Sequence, residues 1–284
     1  MLKSNKDKLV IQSAQGKIHS PTSRTPYRVN REGLGEVLPS VGGICYNVKV
    51  GDNCMDLIGD HVEPGVSIKN DIEIENNALM LLAGIGNEAK VMTGEAKGAK
   101  GYVTGMHGGI EHVIIHFDSE DMEKMAINDS ILVKCHGLGF QFEDYKEIKF
   151  MNIDPNLIER MPLEEKEGCL YMPVVTEVPA HLMGSGIGSA TAVSGDYDIM
   201  TGDAESFEKY GLGKLRFGDF VLLNDCDNTY GRQYLKGSVS IGVVVHSDCI
   251  LSGHGPGIAV VASCKTDKLR GKIDENANVV NYMH

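Results

Sequence analysis

The sequence has no tryptophan, no Cys-x-x-Cys pair and no long apolar run among its 284 residues. No window approaches the about 18–20 consecutive apolar residues of a membrane-spanning helix, so no membrane association is expected. The seven cysteines are odd in number and scattered, which argues against a disulfide framework and against a structural zinc cluster. They favour a reducing compartment, and we predict a cytoplasmic protein.

Positive charge is also scarce, because 27 Lys and Arg face 39 Asp and Glu, a formal net charge of −12. An acidic chain without a dominant basic face is a poor nucleic-acid binder, so no nucleic-acid partner is expected. The first 31 residues nevertheless carry a net charge of +6, which leaves −18 for the remainder. This segment is interpreted either as a basic arm on an acidic surface of its own or a neighbouring subunit, or as a solvated terminus. The first interpretation predicts a homo-oligomer joined through the arm.

The 34 glycines are spread along the chain and indicate many turns. Apolar runs are short, rich in Val and Ile and bounded by Gly, Asn or Asp, as in residues 112–116 and 239–245, which is typical of β-strands. Only residues 154–161 and 203–210 carry helix signals. We predict a mainly β fold of small β-barrel or sandwich domains with few short helices. Its parts would be a basic arm (1–35), an N-terminal β domain (36–162) and a C-terminal β domain (163–284) that carries the site.

Two segments at strand ends hold candidate metal ligands. Asp225 and Asp227 close the apolar strand that begins at Phe220, and their oxygens suit Mg²⁺, Mn²⁺ or Ca²⁺. His246 and Asp248 follow the apolar run Val243–Val245 and would share one face. A hairpin whose acidic residues cap the turn, or a His and Asp satisfied in a β core, is the alternative for each segment. The predicted cofactor is a divalent metal, Mg, Mn or Zn.

Catalytic and substrate-binding candidates lie near these ligands. His254, between two glycines, is predicted to carry protons, and Cys249 beside it would suit a nucleophile in a thiol mechanism. Arg232 could hold a substrate carboxylate in a bidentate pair. The glycine-rich loop around Ser185 and Gly186 could bring backbone N–H groups to an anion. No nucleotide is expected, because the third glycine of the dinucleotide fingerprint would fall at Ser189.

Two further groups of polar residues each have more than one interpretation. Asp196 and Asp198 stand two apart, where they could hold a cation or simply occupy a turn. His107, His112 and His116 lie within ten residues but match no recognised metal signature, and an exposed edge strand would explain them equally well. Whether these histidines share one site is not decided by their spacing.

Several strings resemble a bacterial family of unknown function. They include residues 101–109, 172–188 and 195–200, together with 244–249 and 253–257. This resemblance spans most of the chain from about residue 30 and implies a mainly β, two-part architecture without an established activity. A local similarity to the acetamidase/formamidase family covers about thirty residues after Leu170. The Asp and His of that family's Gly-Asp-x-His turn are absent here, where the turn reads Gly184 to Ile187.

We therefore predict a metal-dependent, amidase-like hydrolase that acts on a small polar molecule. One alternative is a hydrolase that uses Cys249 and His254. A second alternative, of another class, is a non-catalytic ligand-binding or self-assembling protein, in which the histidines are structural and the glycine-rich loops form subunit contacts.

Overall fold

A computed structural model describes residues 2–23 and 25–283, so Met1, Arg24 and His284 lie outside the described residues. The strands, in chain order, are β1 (Gln12–Ile18), β2 (Arg28–Val29), β3 (Gly35–Glu36), β4 (Ile44–Cys45), β5 (Gly65–Lys69), β6 (Glu88–Val91), β7 (Lys100–His107), β8 (His112–His116), β9 (Ser130–Cys135), β10 (Ile148–Phe150), β11 (Glu164–Lys166), β12 (Cys169–Val174), β13 (Thr176–Pro179), β14 (Tyr197–Asp198), β15 (Phe220–Asp227), β16 (Gln233–His246), β17 (Gly257–Cys264) and β18 (Leu269–Ile273). The helices are α1 (Glu73–Leu82), α2 (Ser119–Met122), α3 (Pro155–Arg160) and α4 (Ala204–Lys209), with 3-10 turns at Lys6–Lys8, Ala180–Leu182, Leu212–Lys214 and Val279–Asn281.

The first half of the chain forms a closed six-stranded barrel. Its strands follow the order β1-β9-β6-β7-β8-β5, and β5 pairs back onto β1, while β4 adds to the other end of β5. All the barrel pairs are antiparallel. Closure leaves no open edge among these six strands, which is how small all-β domains avoid unpaired backbone groups.

The second half is built on a larger open sheet. Its main order is β10-β17-β16-β15-β13, and β14 pairs with the first residues of β17. Strands β11, β12 and β18 form a separate sheet, and β2 pairs with β3 in a small hairpin. The mainly β prediction with few short helices is confirmed. None of the helices within residues 2–23 and 25–283 is long and apolar enough to cross a membrane.

The barrel and the large sheet pack directly against each other. A Cβ on Gly105 in β7 would lie 2.5 Å from the Cβ of Val245 in β16, so only glycine allows this approach. Ile114 of the barrel and Val245 of the sheet belong to one continuous apolar core. Each fully buried aliphatic side chain in such a core contributes about 1.5–3 kcal/mol. The close packing brings the ends of β7 and β16 together, and both strands end in histidine.

The two helix signals in the sequence correspond to α3 and α4. The Asp154 carboxylate accepts the N–H of Asn156, and the Asp203 carboxylate accepts the N–H of Ser206, so both aspartates cap a helix as predicted. Helix α1 was not predicted, and it packs Leu79 into the barrel core.

The N-terminal segment predicted as a basic arm lies on its own chain. Residues Gln12–Ile18 form a strand of the barrel, and the Asn5 N–H donates to the carbonyl of Gln141. Four of its basic residues pair with polar groups elsewhere in this chain, namely Lys6 with Glu159, Lys17 with Asp71, Arg28 with Asp60, and Arg31 with Thr201. The predicted homo-oligomer and the division at residue 162 stay predictions.

Candidate functional site

Six histidine and aspartate side chains meet where the barrel packs on the large sheet. We call them the His/Asp cluster: His61, His107, Asp196, Asp198, His246 and His254. The barrel supplies His107 at the end of β7, and the loop before β5 supplies His61. The large sheet supplies the others from the end of β16, from β14 and its preceding loop, and from the loop before β17. Five of the six are buried, and the His254 side chain remains 28% exposed.

The closest pair in the cluster is the ion pair of His246 and Asp196. His246 Nε2 lies 2.7 Å from Asp196 Oδ2 and 3.5 Å from Asp198 Oδ1. Both His246 Nε2 and Asp196 Oδ2 are buried, yet neither has hydrogen-bond geometry to any described residue. Buried polar atoms in folded proteins almost always have a partner. These two atoms are therefore available as ligand atoms that a cation could share.

Neighbouring groups fix the tautomer of His246. Its Nδ1 lies 2.9 Å from the carbonyl of Ser247, which can only accept, so Nδ1 carries a proton and Nε2 is the nitrogen that faces the cluster. Burial alone would lower the pKa of His246, but the carboxylates of Asp196 and Asp198 outweigh it and raise that pKa well above its ordinary value. The Gly108 N–H donates to the other oxygen of Asp196 over 2.7 Å, which orients that carboxylate.

His107 is oriented by a fully buried carboxylate. Glu63 accepts from Nδ1 of His107 at 2.5 Å and from Nδ1 of His112 at 2.9 Å. Burial would raise the pKa of Glu63, but these two hydrogen bonds outweigh it and hold that pKa below its ordinary value. With Nδ1 engaged, Nε2 is the nitrogen that His107 offers to the cluster. This carboxylate–histidine arrangement is the usual outer support of a metal ligand.

His61 is held in an unusual backbone conformation. Its φ of 53° lies in the left-handed region, which most non-glycine residues rarely adopt. Its Nδ1 lies 3.3 Å from Asp60, whose carboxylate also pairs with Arg28. Its Nε2 lies 3.3 Å from Nδ1 of His254. Burial, the largest influence, lowers the pKa of His61 and favours the neutral, ligand-competent ring.

Potential ligand atoms converge in three overlapping groups. Within each group one atom per residue lies within 4.8 Å of the others, and the groups are Asp196/Asp198/His246, His61/His107/His246 and His61/Cys249/His254. Asp198 also reaches toward the third group, because its Oδ2 lies 2.8 Å from His254 Nδ1. The donor set therefore combines imidazole, carboxylate and one thiol.

Of the four residues predicted to bind metal, the structure brings only His246 into the cluster. The Asp248 carboxylate accepts from the Thr201 hydroxyl at 2.8 Å. Asp225 accepts the N–H of Gly237, and Asp227 accepts from Thr229 and Gln233, all within the β15–β16 hairpin. Neither Asp225, Asp227 nor Asp248 joins a group of close ligand atoms within residues 2–23 and 25–283. The hydrogen bonds of Asp225 and Asp227 agree with the alternative interpretation, a hairpin whose acidic residues cap the turn.

The predicted catalytic residues both lie at the cluster, but in different environments. His254 contacts Asp198 and remains partly open to solvent. Cys249 is buried, accepts the Leu251 N–H, and lies beside Asp60. Burial first and the Asp60 carboxylate second raise its pKa far above the ordinary thiol value. A free thiolate nucleophile is therefore disfavoured at this position.

The predicted substrate-binding residues contact the segments that carry the cluster residues. Arg232 is buried, donates to the carbonyl of Ser194 at 2.9 Å and faces the ring of Tyr197. The Ser185 carbonyl accepts the N–H of Asp198, and the Ser185 N–H donates to the carbonyl of Gly253. Gly186 adopts a φ of 93° and packs against Tyr197. These residues position Asp198 and the loop that bears His254.

Sequence reasoning missed His61 and Glu63 entirely. The run Asp60-His61-Val62-Glu63 places three ionisable residues within four positions, and that density is the signal that could have found them. Of the three histidines whose grouping was open, His107 joins the cluster and His112 bonds the same Glu63, while His116 lies at the opposite end of β8.

A polar cleft of about 330 Å³ adjoins the cluster. It is lined by Arg31, Glu36, Asp248 and Cys249, among others, and the last of these belongs to a ligand group. A larger cavity of about 490 Å³ lies among Lys6, His136 and Arg160. None of the six cluster residues lines either cavity, and the smaller cleft comes closer to the cluster, through Cys249.

Comparison with known proteins returned two family models and one solved structure. The chain matches "Domain of unknown function (DUF4438), N-terminal" over residues 27–159 and "Domain of unknown function (DUF4438), C-terminal" over residues 160–283. It is similar to the structure entitled "Crystal structure of TM1086" with a TM-score of 0.95 and 47% identity over 99% of each chain. The comparison with curated proteins found no match. The similarity to the acetamidase/formamidase family is not shown.

Proposed function

The chain belongs to the DUF4438 family of unknown function, which confirms the resemblance of its sequence strings. We propose, from the geometry of the His/Asp cluster, that this member is a divalent-metal-dependent hydrolase of small polar molecules. His107, His246, Asp196 and Asp198 would bind the ion, with His61 beside them. The observation that carries this proposal is the convergence of ligand atoms from Asp196, Asp198 and His246 within 4.8 Å of one another, in a buried site where Asp196 Oδ2, Asp198 Oδ2 and His246 Nε2 have no hydrogen-bond partner of ordinary geometry. A bound cation would take the place of the proton that holds His246 and Asp196 together in the metal-free chain.

The charge around the cluster also favours a cation. Four buried carboxylates lie in and around the cluster, namely Asp60, Glu63, Asp196 and Asp198. Two guanidinium groups lie near them, those of Arg28 and Arg232. The carboxylates outnumber the guanidinium groups, and a bound cation would offset this excess of negative charge. Uncompensated charge is expensive inside a protein, so this excess supports a bound ion.

The donor set narrows the choice of metal. Imidazole nitrogens suit zinc and the later transition metals, whereas magnesium prefers oxygen ligands and water. Of the metals predicted from the sequence, zinc therefore fits the cluster best and manganese second. Magnesium fits least, because the oxygen-rich Asp225/Asp227 pair on which it depended is engaged in its hairpin.

A hydrolytic reaction is the chemistry this arrangement suits best. A divalent ion lowers the pKa of a bound water to about 7, so hydroxide becomes available at neutral pH. Glu63 keeps His107 in the required orientation, and Ser185 holds the backbone of Asp198. The cleft beside Cys249 is small and polar, and Arg31 lines it. This size and lining support a small polar substrate.

The thiol mechanism is the weaker alternative, because Cys249 is buried and its pKa is raised.

All seven cysteines are free thiols, which supports the proposed cytoplasmic location.

The test begins with chelator-treated protein and metal analysis. We expect Zn²⁺ and Mn²⁺ to raise the Tm and to restore hydrolysis across a panel of small amides and esters. Asp196→Asn should lose both effects, whereas the matched variant Asp227→Asn should keep them. Protein that retains no metal and shows no thermal shift with any of these ions would refute the metal site. Metal binding without hydrolysis on any panel member would refute the reaction and leave the metal site intact.

A further inference from the structure

We propose that the cluster binds two divalent ions, the second held by His61, His254 and Cys249 and bridged to the first by Asp198. This inference rests on the metal site proposed above and adds a second ion and a thiolate ligand to it.

The two oxygens of Asp198 face different groups. Oδ1 lies 3.5 Å from His246 Nε2 in the first group, and Oδ2 lies 2.8 Å from His254 Nδ1 in the second. Asp198 is only 4% exposed, and Oδ2 makes no hydrogen bond to any residue within the described ranges. A buried carboxylate that presents one oxygen to each of two ligand groups is placed to bridge two ions. In two-metal sites the ions are about 3.5–4 Å apart.

The spacing of the two histidines fits a single ion. His61 Nε2 and His254 Nδ1 lie 3.3 Å apart and share a hydrogen bond in the metal-free chain, which an ion bound to both nitrogens would replace. Two nitrogens bound at about 2.05 Å to one tetrahedral zinc are separated by about 3.3 Å. The left-handed backbone of His61 fixes the first ring. The Ser185 N–H donates a hydrogen bond to the carbonyl of Gly253, which fixes the residue before His254.

Cys249 completes the second group. Its Sγ lies within 4.8 Å of the His61 and His254 ligand atoms. A coordinating thiol loses its proton to solvent when the metal binds, so the neutral thiol of the apo protein is no obstacle. One thiolate, two imidazoles and one carboxylate oxygen make a four-coordinate set that zinc prefers over harder ions.

This assignment changes the role of His254. As a ligand it would be needed for the second ion to bind, whereas a proton carrier would affect turnover alone. Its side chain is 28% exposed, so replacement by alanine leaves no large buried cavity. His254→Ala is therefore a variant in which the two roles can be separated.

The experiment titrates chelator-treated full-length protein with Co²⁺ and measures bound metal per chain together with the near-ultraviolet spectrum. Wild type should bind two equivalents and show a thiolate-to-cobalt charge-transfer band. Cys249→Ser should bind one equivalent and lose the band, and His254→Ala should also bind one. Cys169→Ser, a buried cysteine far along the chain in β12, should bind two and keep the band.

The outcomes separate this inference from the metal site itself. One equivalent in wild type would overturn the second ion and leave the first, and no bound metal would overturn both. Two equivalents and an unchanged band in Cys249→Ser would overturn the thiolate. Two equivalents in His254→Ala would overturn its role as a ligand. The remaining ion in each variant also reports that the variant has folded, and if Cys249→Ser does not fold, His254→Ala decides the question alone.

Discussion

Gly257→Ala should abolish metal binding without removing a ligand. Gly257 is the first residue of β17 and pairs with both Asp198 and His246. A Cβ at this position would lie 2.1 Å from Asp196 Oδ2 and 2.1 Å from His246 Nε2. Its φ is outside the left-handed region, so alanine is tolerated by the backbone itself. The added methyl group therefore acts only through the two proposed ligand atoms.

The expected magnitude follows from that geometry. Ordinary van der Waals contact begins at 3.4 Å, so each ligand atom would have to retreat by about 1.3 Å. Metal–ligand distances are fixed to within about 0.2 Å, and a displacement this large breaks the coordination geometry. Overpacking of a buried site costs about 1–3 kcal/mol, which corresponds to a loss of up to about 100-fold in affinity even before ligand bonds are lost. We expect metal affinity to fall by at least about 100-fold.

Titration calorimetry with Zn²⁺ on chelator-treated protein measures this change. The matched control is Gly202→Ala, where the nearest atom to the added Cβ is the flexible end of Arg31 at 3.4 Å, and its affinity should equal that of wild type. Thermal unfolding of both apo variants shows whether the fold persists. A folded Gly257→Ala protein that binds Zn²⁺ as tightly as wild type would refute the convergence of Asp196 and His246 on one ion.

Three other predictions concern single residues. Glu63→Gln should weaken Zn²⁺ binding by about 10–100-fold in calorimetry, because it removes the carboxylate that orients His107; unchanged affinity would count against that support. Asp248→Asn and Asp227→Asn should leave the affinity unaltered, since both carboxylates are hydrogen-bonded outside the cluster, and a loss in either would restore the ligand set predicted from the sequence. Burial raises the pKa of the Cys226 thiol from 9.0 to about 11. The pKa of this thiol is higher in the folded than in the unfolded protein, so the contribution of the buried thiol to the free energy of unfolding is complete below pH 9. That contribution is lost as the pH rises toward about 11, by up to about 1.4 kcal/mol per pH unit. Urea unfolding between about pH 8 and pH 11 should therefore show a shallower decline in the free energy of unfolding for Cys226→Ala than for wild type.

Local sequence signals predicted the class of fold and both capped helices. The Asp154-Pro155 start and the Asp203 start need only neighbouring residues to work, and both are seen. Helix α1 lacks such a start, because Ile72 occupies its N-cap position without a side-chain hydrogen bond. Closure of the barrel was also beyond local reasoning, since it depends on the pairing of β1 with β5 about fifty residues later.

The site was harder to predict because its ligands are distant in the sequence. Sequence reasoning chose Asp225, Asp227 and Asp248 for their closeness to a predicted strand end and to one another. The structure shows that a strand end can carry two neighbouring polar residues into different surroundings. His246 enters the cluster, whereas Asp248 turns to Thr201. Alternation along a strand predicts a shared face only while the strand continues, and β16 ends at His246.

The origin of the ligands explains both the difficulty and the architecture. His61 and His107 belong to the segment matched by the N-terminal family model, and Asp196, Asp198 and His246 belong to the segment matched by the C-terminal model. The proposed ligands of the first ion come from both segments, so the glycine contact between β7 and β16 would be needed to bring His107 to the residues of the C-terminal segment. An ion that binds ligands from both segments also binds the folded chain in preference to the unfolded one. The metal would therefore stabilise the packing of barrel on sheet, and that packing would in turn create the metal site.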